Sequence, residues 1–247
     1  MRILSQSGMS TYSKLYKTFC RNCNSAPQDL FGAKKEFANL ERIFIPNNRA
    51  QELTSRTENF IEHLSERGNN KLADILTNEL GKLHLRIGNY PEAEKFTIQS
   101  IKNNYAEQDL IHAAARFSDL EIIYKNLGDR KGIYQALHDK KSCIKEILSD
   151  YDFYKQKFQS IVRPPTTKES LQVQLAYTYT ELSKFLLFSK PKDSCKALVK
   201  AKEIYDELGK TKESNYYKNR IRWVMSKIRL NEYKARYQNT PPTLKAY

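Results

Sequence analysis

Turn-forming residues are scarce in this chain: its 247 residues include only 8 Gly and 8 Pro. A fold of many strands needs far more turn material, so helices must dominate. No run of about 18 apolar residues occurs, which excludes a membrane-spanning helix. Met1 to Phe19 carries one early base, Arg2, but Ser5, Gln6, Ser7 and Ser10 interrupt any apolar segment of a signal peptide, so a cytoplasmic protein is expected. The four cysteines, Cys20, Cys23, Cys143 and Cys195, are too few and too scattered for a disulfide framework. Cys20 and Cys23 form a CxxC, half of a zinc site or a redox pair. No second CxxC or paired histidine spacing follows, since His63, His84, His112 and His138 are isolated. The plainer reading is two thiols in a loosely structured leader, with no metal and no cofactor required. Phosphate-binding glycine loops, HExxH and GxSxG are missing as well, so no enzyme is expected. His84 reads as a packed core histidine, and His112 and His138, about a helix pair apart, lack any nucleophile to serve.

What is present is a repeat. A shift of 40 residues matches Leu80 with Leu120, His84 with Tyr124, Gly88-Asn89 with Gly128-Asp129, and Ala93 with Ile133. Each copy reads as helix, tight turn, helix. In the first, Ile75, Leu76, Leu80, Leu83 and Ile87 recur at helical spacing, and Gly88-Asn89 supplies the positive-φ turn. Pro91 and Glu92 suit the first turn of the next helix. Gly81 and Ala93 are small enough for two antiparallel helices to approach closely.

These residues resemble the tetratricopeptide repeats, whose pattern has a Leu-small pair, an aromatic, a Gly-Asp/Asn turn, an Ala and a second bulky residue. The first copy fits at Leu80, Gly81, Gly88, Asn89, Tyr90 and Ala93, with Thr77 and Thr97 where bulk is usual and His84 at the aromatic place. The second fits at Phe117, Leu120, Tyr124, Gly128, Asp129 and Leu137, with Glu121 and Ile133 where small residues are expected. A period near 40 resembles the family's longer variant. The resemblance implies an all-α, right-handed superhelical solenoid of antiparallel helix hairpins. It also implies a protein-interaction role, with a partner peptide or helix held in a concave groove lined by the first helix of each hairpin.

In chain order, residues 1–28 read as a flexible leader with one short helix at Thr11 to Phe19. A repeat domain spans 29–236, with hairpins at about 29–68, 70–104, 108–162 and 167–208 and a capping helix at 211–236. Within it, Asn47 or Asn48 caps the second helix, and the helical spacing after Ile133 runs to Pro164-Pro165, as one long helix or two with a kink near Ser149. Lys190 to Asp193 forms an expanded turn. Residues 237–247, with Pro241-Pro242, read as a disordered tail.

By register, the groove offers Ile75, Asn78, Lys82, Leu85 and Arg86 from the first copy. The second offers Ala115, Ser118, Ile122, Lys125 and Asn126, and the third Tyr177, Thr180, Lys184 and Leu187. Apolar and basic groups alternate there, which suits an acidic, partly apolar segment, with Asn side chains free to meet its backbone. The chain's charge of +14 is uneven. Residues 1–70 hold 10 bases and 7 acids, 71–150 hold 12 and 12, and 151–247 hold 20 and 9, so the balances are +3, 0 and +11. The excess forms a basic patch that includes Lys200, Lys218, Arg220, Arg222, Lys227 and Arg229, interleaved with Tyr216, Tyr217, Trp223, Tyr233 and Tyr237. Tyr217 shares the apolar stripe with Val224 and reads as core. The rest of the patch gives an alternative function, nucleic-acid binding by the basic C-terminal third.

Overall fold

The computed structural model describes residues 6–25, 30–158 and 166–238. Among them are eleven α-helices and no strand: α1 (Gln6–Ser25), α2 (Leu30–Phe44), α3 (Ala50–Glu66), α4 (Asn70–Arg86), α5 (Tyr90–Ala106), α6 (Leu110–Leu127), α7 (Arg130–Ser149), α8 (Tyr151–Phe158), α9 (Lys168–Leu186), α10 (Pro191–Glu207) and α11 (Thr211–Gln238). The fold is all-α, built from antiparallel helix hairpins. Two compact units are distinguished within it. Met1–Gln108 and Asp119–Asp129 form the first; Asp109–Ser118 and Arg130–Tyr247 form the second.

The leader reading is corrected in the first unit. Helix α1 is twenty residues long, and Tyr16, Phe19 and Cys23 are buried on it at spacings of three and four. The Phe19 ring meets Phe37 of α2 at 6.1 Å and Phe60 of α3 at 5.9 Å. The abundant Ser and Asn of this segment hide three well-spaced core positions, and those three suffice to dock the helix. Below them lie Phe37, Phe44, Leu53, Leu64, Leu72, Leu76, Leu80 and Leu83, all almost wholly excluded from water. Each such side chain contributes about 1.5–3 kcal/mol on burial. Cys20 is half-buried beside Tyr16, and burial pushes its thiol up to about 11, the opposite of the depressed value that makes a reactive or metal-binding thiolate.

The hairpin bends follow a strict interval. Positive φ occurs at Asn48, Gly68, Gly88, Gln108 and Gly128, each twenty residues after the last. Around them the same closing bond recurs: the amides of Arg49, Asn69, Asn89 and Asp129 donate to the carbonyls of Phe44, Leu64, His84 and Tyr124 at 2.9–3.0 Å. This is the Schellman closure, in which a left-handed residue lets the chain cap its own last turn. Gly88 and Gly128 adopt it without Cβ strain, whereas Gln108 does so with a side chain. Asn48 therefore belongs to a bend and caps nothing; Arg49 precedes α3, with no side-chain cap bond.

In the second unit the interval lapses. Helix α7 ends at Ser149 and α8 begins at Tyr151, the kinked alternative of the sequence reading. Residues 159–165, with Pro164 and Pro165, lie outside the described residues. Thr167 caps α9 by accepting from the Ser170 amide at 3.0 Å. Helices α9 and α10 pack through Leu171, Leu175, Ala176 and Leu182 against Ala197, Leu198, Ala201 and Ile204. The Ser183 and Ser194 hydroxyls meet at 2.8 Å between them. Helix α11 lays Tyr217, Val224 and Ile228 on α10, with the Tyr217 ring stacked on Tyr205 at 5.4 Å. Met225, placed on this face by its spacing, is exposed. Tyr237 and Gln238 belong to α11, not to a tail; residues 239–247 lie outside the described residues.

Candidate interaction surfaces

Close approach of α4 and α5 is set by Gly81. A Cβ there would stand 3.2 Å from the Thr97 hydroxyl and 3.4 Å from the Thr97 amide nitrogen, so Thr97 occupies the space that a larger residue would need. Next to this contact His84 is buried and stacked on Phe96 at 5.4 Å, with an interplanar angle of 4°. The Asn89 amide lies 3.3 Å from His84 Nδ1, and Glu58 lies 3.7 Å from Nε2. Burial lowers the imidazole pKa, with Glu58 and Glu92 opposing. At the matching place in α6 stands Tyr124, whose hydroxyl donates to Glu94 of α5 at 2.8 Å. Leu80, Gly81, the aromatic place, the positive-φ glycine and Ala93 thus all do the packing work that their pattern implied. These are TPR-like hairpins.

No family model matches the sequence, and no curated protein matches it. Among solved structures, the chain is similar to BtubC (BKLC) from P. vanneervenii at 13% identity, over 96% of this chain and 94% of that one, with a TM-score of 0.48. A putative kinesin light chain from Podosopora anserina with nearly identical TPR-like repeats shares 14% identity over 78% of this chain and 95% of its own, with a TM-score of 0.40. The designed helical repeat protein DHR64 shares 13% identity over 94% and 97%, with a TM-score of 0.29.

On the first helices of the TPR-like hairpins, the expected groove residues fall in both units. Asn78, Lys82, Leu85, Arg86, Ile122, Lys125 and Asn126 are in the first; Ser118, Tyr177, Thr180 and Lys184 are in the second. Their charge is not free, and this corrects the basic-groove reading. Lys82 pairs with Glu79 at 2.9 Å, Lys125 with Glu121 at 2.6 Å and Lys184 with Glu181 at 2.6 Å. Arg86 reaches back to Glu41 of α2. Glu41, Glu79 and Glu121 are buried, so these cations act as counter-charges that the helices themselves require. Burial pushes the Glu41 carboxyl up, and Arg86 draws it back down.

The amides are committed as well. Asn126 accepts from the Tyr90 hydroxyl at 3.0 Å and donates to the Ile122 carbonyl at 2.8 Å. Asn78 Nδ2 leans on Glu79 at 3.4 Å, and Ser118 donates to the Ala114 carbonyl at 3.4 Å. Thr180 is no groove residue at all: it is buried, bonded to the Ala176 carbonyl at 2.8 Å and 2.9 Å from the Tyr217 hydroxyl. Beside these internally matched cations the first helices also show apolar groups to solvent. Leu85 is half-buried, Ile122 is 46% exposed and Tyr177 is 49% exposed, the last with Lys140 Nζ 5.7 Å from its ring centre.

The histidines do not converge. His112 Nδ1 is 2.5 Å from Asp109 Oδ2 in its own helical turn, and the His138 ring tilts against Tyr134 at 6.2 Å. His138 also lines a depression of about 200 Å³ with Tyr134, Lys141, Tyr179, Lys196 and Lys200. Lys196 is matched there by Asp193 at 3.3 Å and Lys200 by Glu203 at 2.7 Å.

The remaining patch residues behave differently. Lys218, Arg220, Arg222, Lys227 and Arg229 make no ion pair among the described residues, so Lys200 is the one member of the expected patch that does. All five lie on α11, among Tyr216 at 55%, Trp223 at 48%, Leu230 at 44% and Tyr233 at 58% exposure. A helix that merely closes a stack presents a polar outer face. This one presents aromatic and aliphatic groups between unpaired cations.

Proposed function

We propose that the protein is a non-catalytic interaction module, an adaptor that holds a partner polypeptide on the first helices of its TPR-like hairpins. The observation that carries the reading is the internal matching of charge around half-buried and exposed apolar side chains. With Lys82, Arg86 and Lys125 already answered by carboxylates, the surface of α4 and the second half of α6 is near neutral and offers Leu85 and Ile122. Such a face suits a polypeptide with apolar anchors and gives a polyanion little to hold. An acidic partner finds a cluster of unmatched cations on α11, and nucleic-acid binding, the alternative, would draw on the same helix.

Affinity capture with the full chain at moderate salt, with and without nuclease, tests the reading. Wild type should retain a reproducible set of proteins after nuclease treatment. The double variant Leu85→Glu, Ile122→Glu should lose that set while keeping the wild-type melting temperature. Retention of nucleic acid alone, abolished by nuclease and steeply weakened by salt, would overturn the proposal in favour of the alternative.

A further inference from the structure

Helix α11 carries a seven-residue pattern that the hairpins do not explain. Tyr217, Ile221, Val224 and Ile228 turn toward α10, and the opposite side faces solvent. On that side Tyr216, Trp223 and Leu230 follow one another at seven-residue intervals, so they form a single column along the helix. Beside this column stand the small, exposed Asn219 and Ser226, leaving room for a bulky side chain to insert next to Trp223. On one flank are Lys227 and Lys234, with the half-buried Arg220 at its inner edge, and on the other Arg222 and Arg229, again at intervals of seven. Labelled as a heptad with Tyr216 at a, the d position holds Asn219, Ser226 and Tyr233, and every e and g position from Arg220 to Arg236 is basic.

We propose that the outward face of α11 is a docking strip for an acidic amphipathic helix, whose apolar seam lies on Tyr216, Trp223 and Leu230 and whose carboxylates meet the two basic flanks. The inference extends the interaction-module reading to a second surface and does not use the first helices. In paired helices the a and d positions make the seam, while e and g charges select the partner. With both flanks positive, a second copy of α11 is repelled in either orientation, and a helix bearing Glu or Asp at its own flanks is drawn in. The described flank cations lack ion pairs, in contrast to Lys82, Lys125 and Lys184 elsewhere in the chain. Over the span from Tyr216 to Lys234, about 27 Å at ~1.5 Å per residue, five turns of partner helix can lie alongside. A ladder for unpaired bases fits less well. Its rings stand about 10 Å apart along the helix, against ~3.4 Å between successive bases, and Lys227 Nζ already sits 5.8 Å from the centre of the Trp223 ring.

The chain contains one tryptophan, so its fluorescence reports on Trp223 directly. The full-length protein is titrated with a synthetic four-heptad peptide carrying Leu at a and d and Glu at e and g. A peptide of the same composition in shuffled order, a single-stranded thymidine 20-mer and phosphatidylserine vesicles are titrated in parallel. The Glu peptide should saturate with a blue shift of the emission and bind at least tenfold more tightly than the shuffled peptide. Arg222→Glu with Arg229→Glu should weaken it at least tenfold at unchanged melting temperature. Leu85→Glu with Ile122→Glu should leave it unchanged, which separates this strip from the surface proposed above. Equal binding of ordered and shuffled peptides overturns the proposal. So does tighter binding of the oligonucleotide or the vesicles with the same dependence on Arg222 and Arg229.

Discussion

Arg86 and Arg222 are both exposed arginines on TPR-like helical hairpins and their end helix, yet they answer to different needs. Arg86 compensates Glu41, a carboxylate held 5% exposed between α2 and α4, whereas Arg222 has no carboxylate to compensate. The same division runs through the molecule. In the first unit Lys82, Arg86 and Lys125 are part of the packing, and the bends are closed by recurring bonds. On α11 the cations are spare. Charge at the first site should register as stability, and charge at the second as binding.

The sharpest way to break this comparison is Arg86→Ala. It leaves Glu41 without its counter-ion and should cost about 2 kcal/mol, less than a fully buried pair because Arg86 itself is half-exposed. Urea denaturation reads the loss directly, and Glu41→Gln in the same chain should recover much of it. Gly88→Ala forces a side chain into the left-handed region at φ +77° and should cost about 1–2 kcal/mol. Gln108 already holds that conformation at φ +58°, so Gln108→Gly should raise stability by about 0.5–1 kcal/mol, seen as a higher melting temperature.

Proton linkage sharpens the contrast further. Asp74, half-buried on α4 and bonded to Asn103, is pushed up to about 6 by burial and by Glu107. A carboxyl raised on folding lends stability below its ordinary value near 3.8, and that stability fades as pH climbs toward 6. His84 is lowered on folding, so its contribution is complete above its ordinary value of 6.5 and fades as pH falls below it. The two slopes oppose each other. Asp74→Asn should make the chain more sensitive to acid, and His84→Phe less so, in melts taken from pH 4 to 7. The smallest effect is expected on α11: Arg222→Ala should shift stability by less than about 0.5 kcal/mol. A loss as large as that of Arg86→Ala would erase the distinction between the two regions.

The hairpins at Gly88 and Gly128 were legible because a glycine followed by Asn or Asp interrupts helical spacing in the same phase twice. The full interval was not, because Asn48 and Gln108 carry the same backbone turn under side chains that do not advertise it. Helix α1 was misread for a compositional reason: its core needs only Tyr16, Phe19 and Cys23, and the polar residues around them dominate the segment. Of the ion pairs that neutralise the first helices, three are local, three or four residues apart, and could have been read from the spacing of Glu79, Glu121 and Glu181 to their lysines. Glu41 and Arg86 are 45 residues apart, and Thr180 and Tyr217 are 37 apart, so only the folded chain brings them together. The heptad of α11 stood in the sequence throughout, but its flanks acquire meaning only once Tyr217, Val224 and Ile228 are known to face inward.

The equal spacing of bends also makes a hairpin a removable cassette. Asn69, Asn89, Asp109 and Asp129 each follow a left-handed residue, so excising residues 69–108 joins Gly68 to Asp109 and rebuilds a Gly-Asp junction like that of Gly128-Asp129. Duplication of the same forty residues is equally seamless. The chain can therefore be lengthened or shortened by genetic recombination without inventing a new corner.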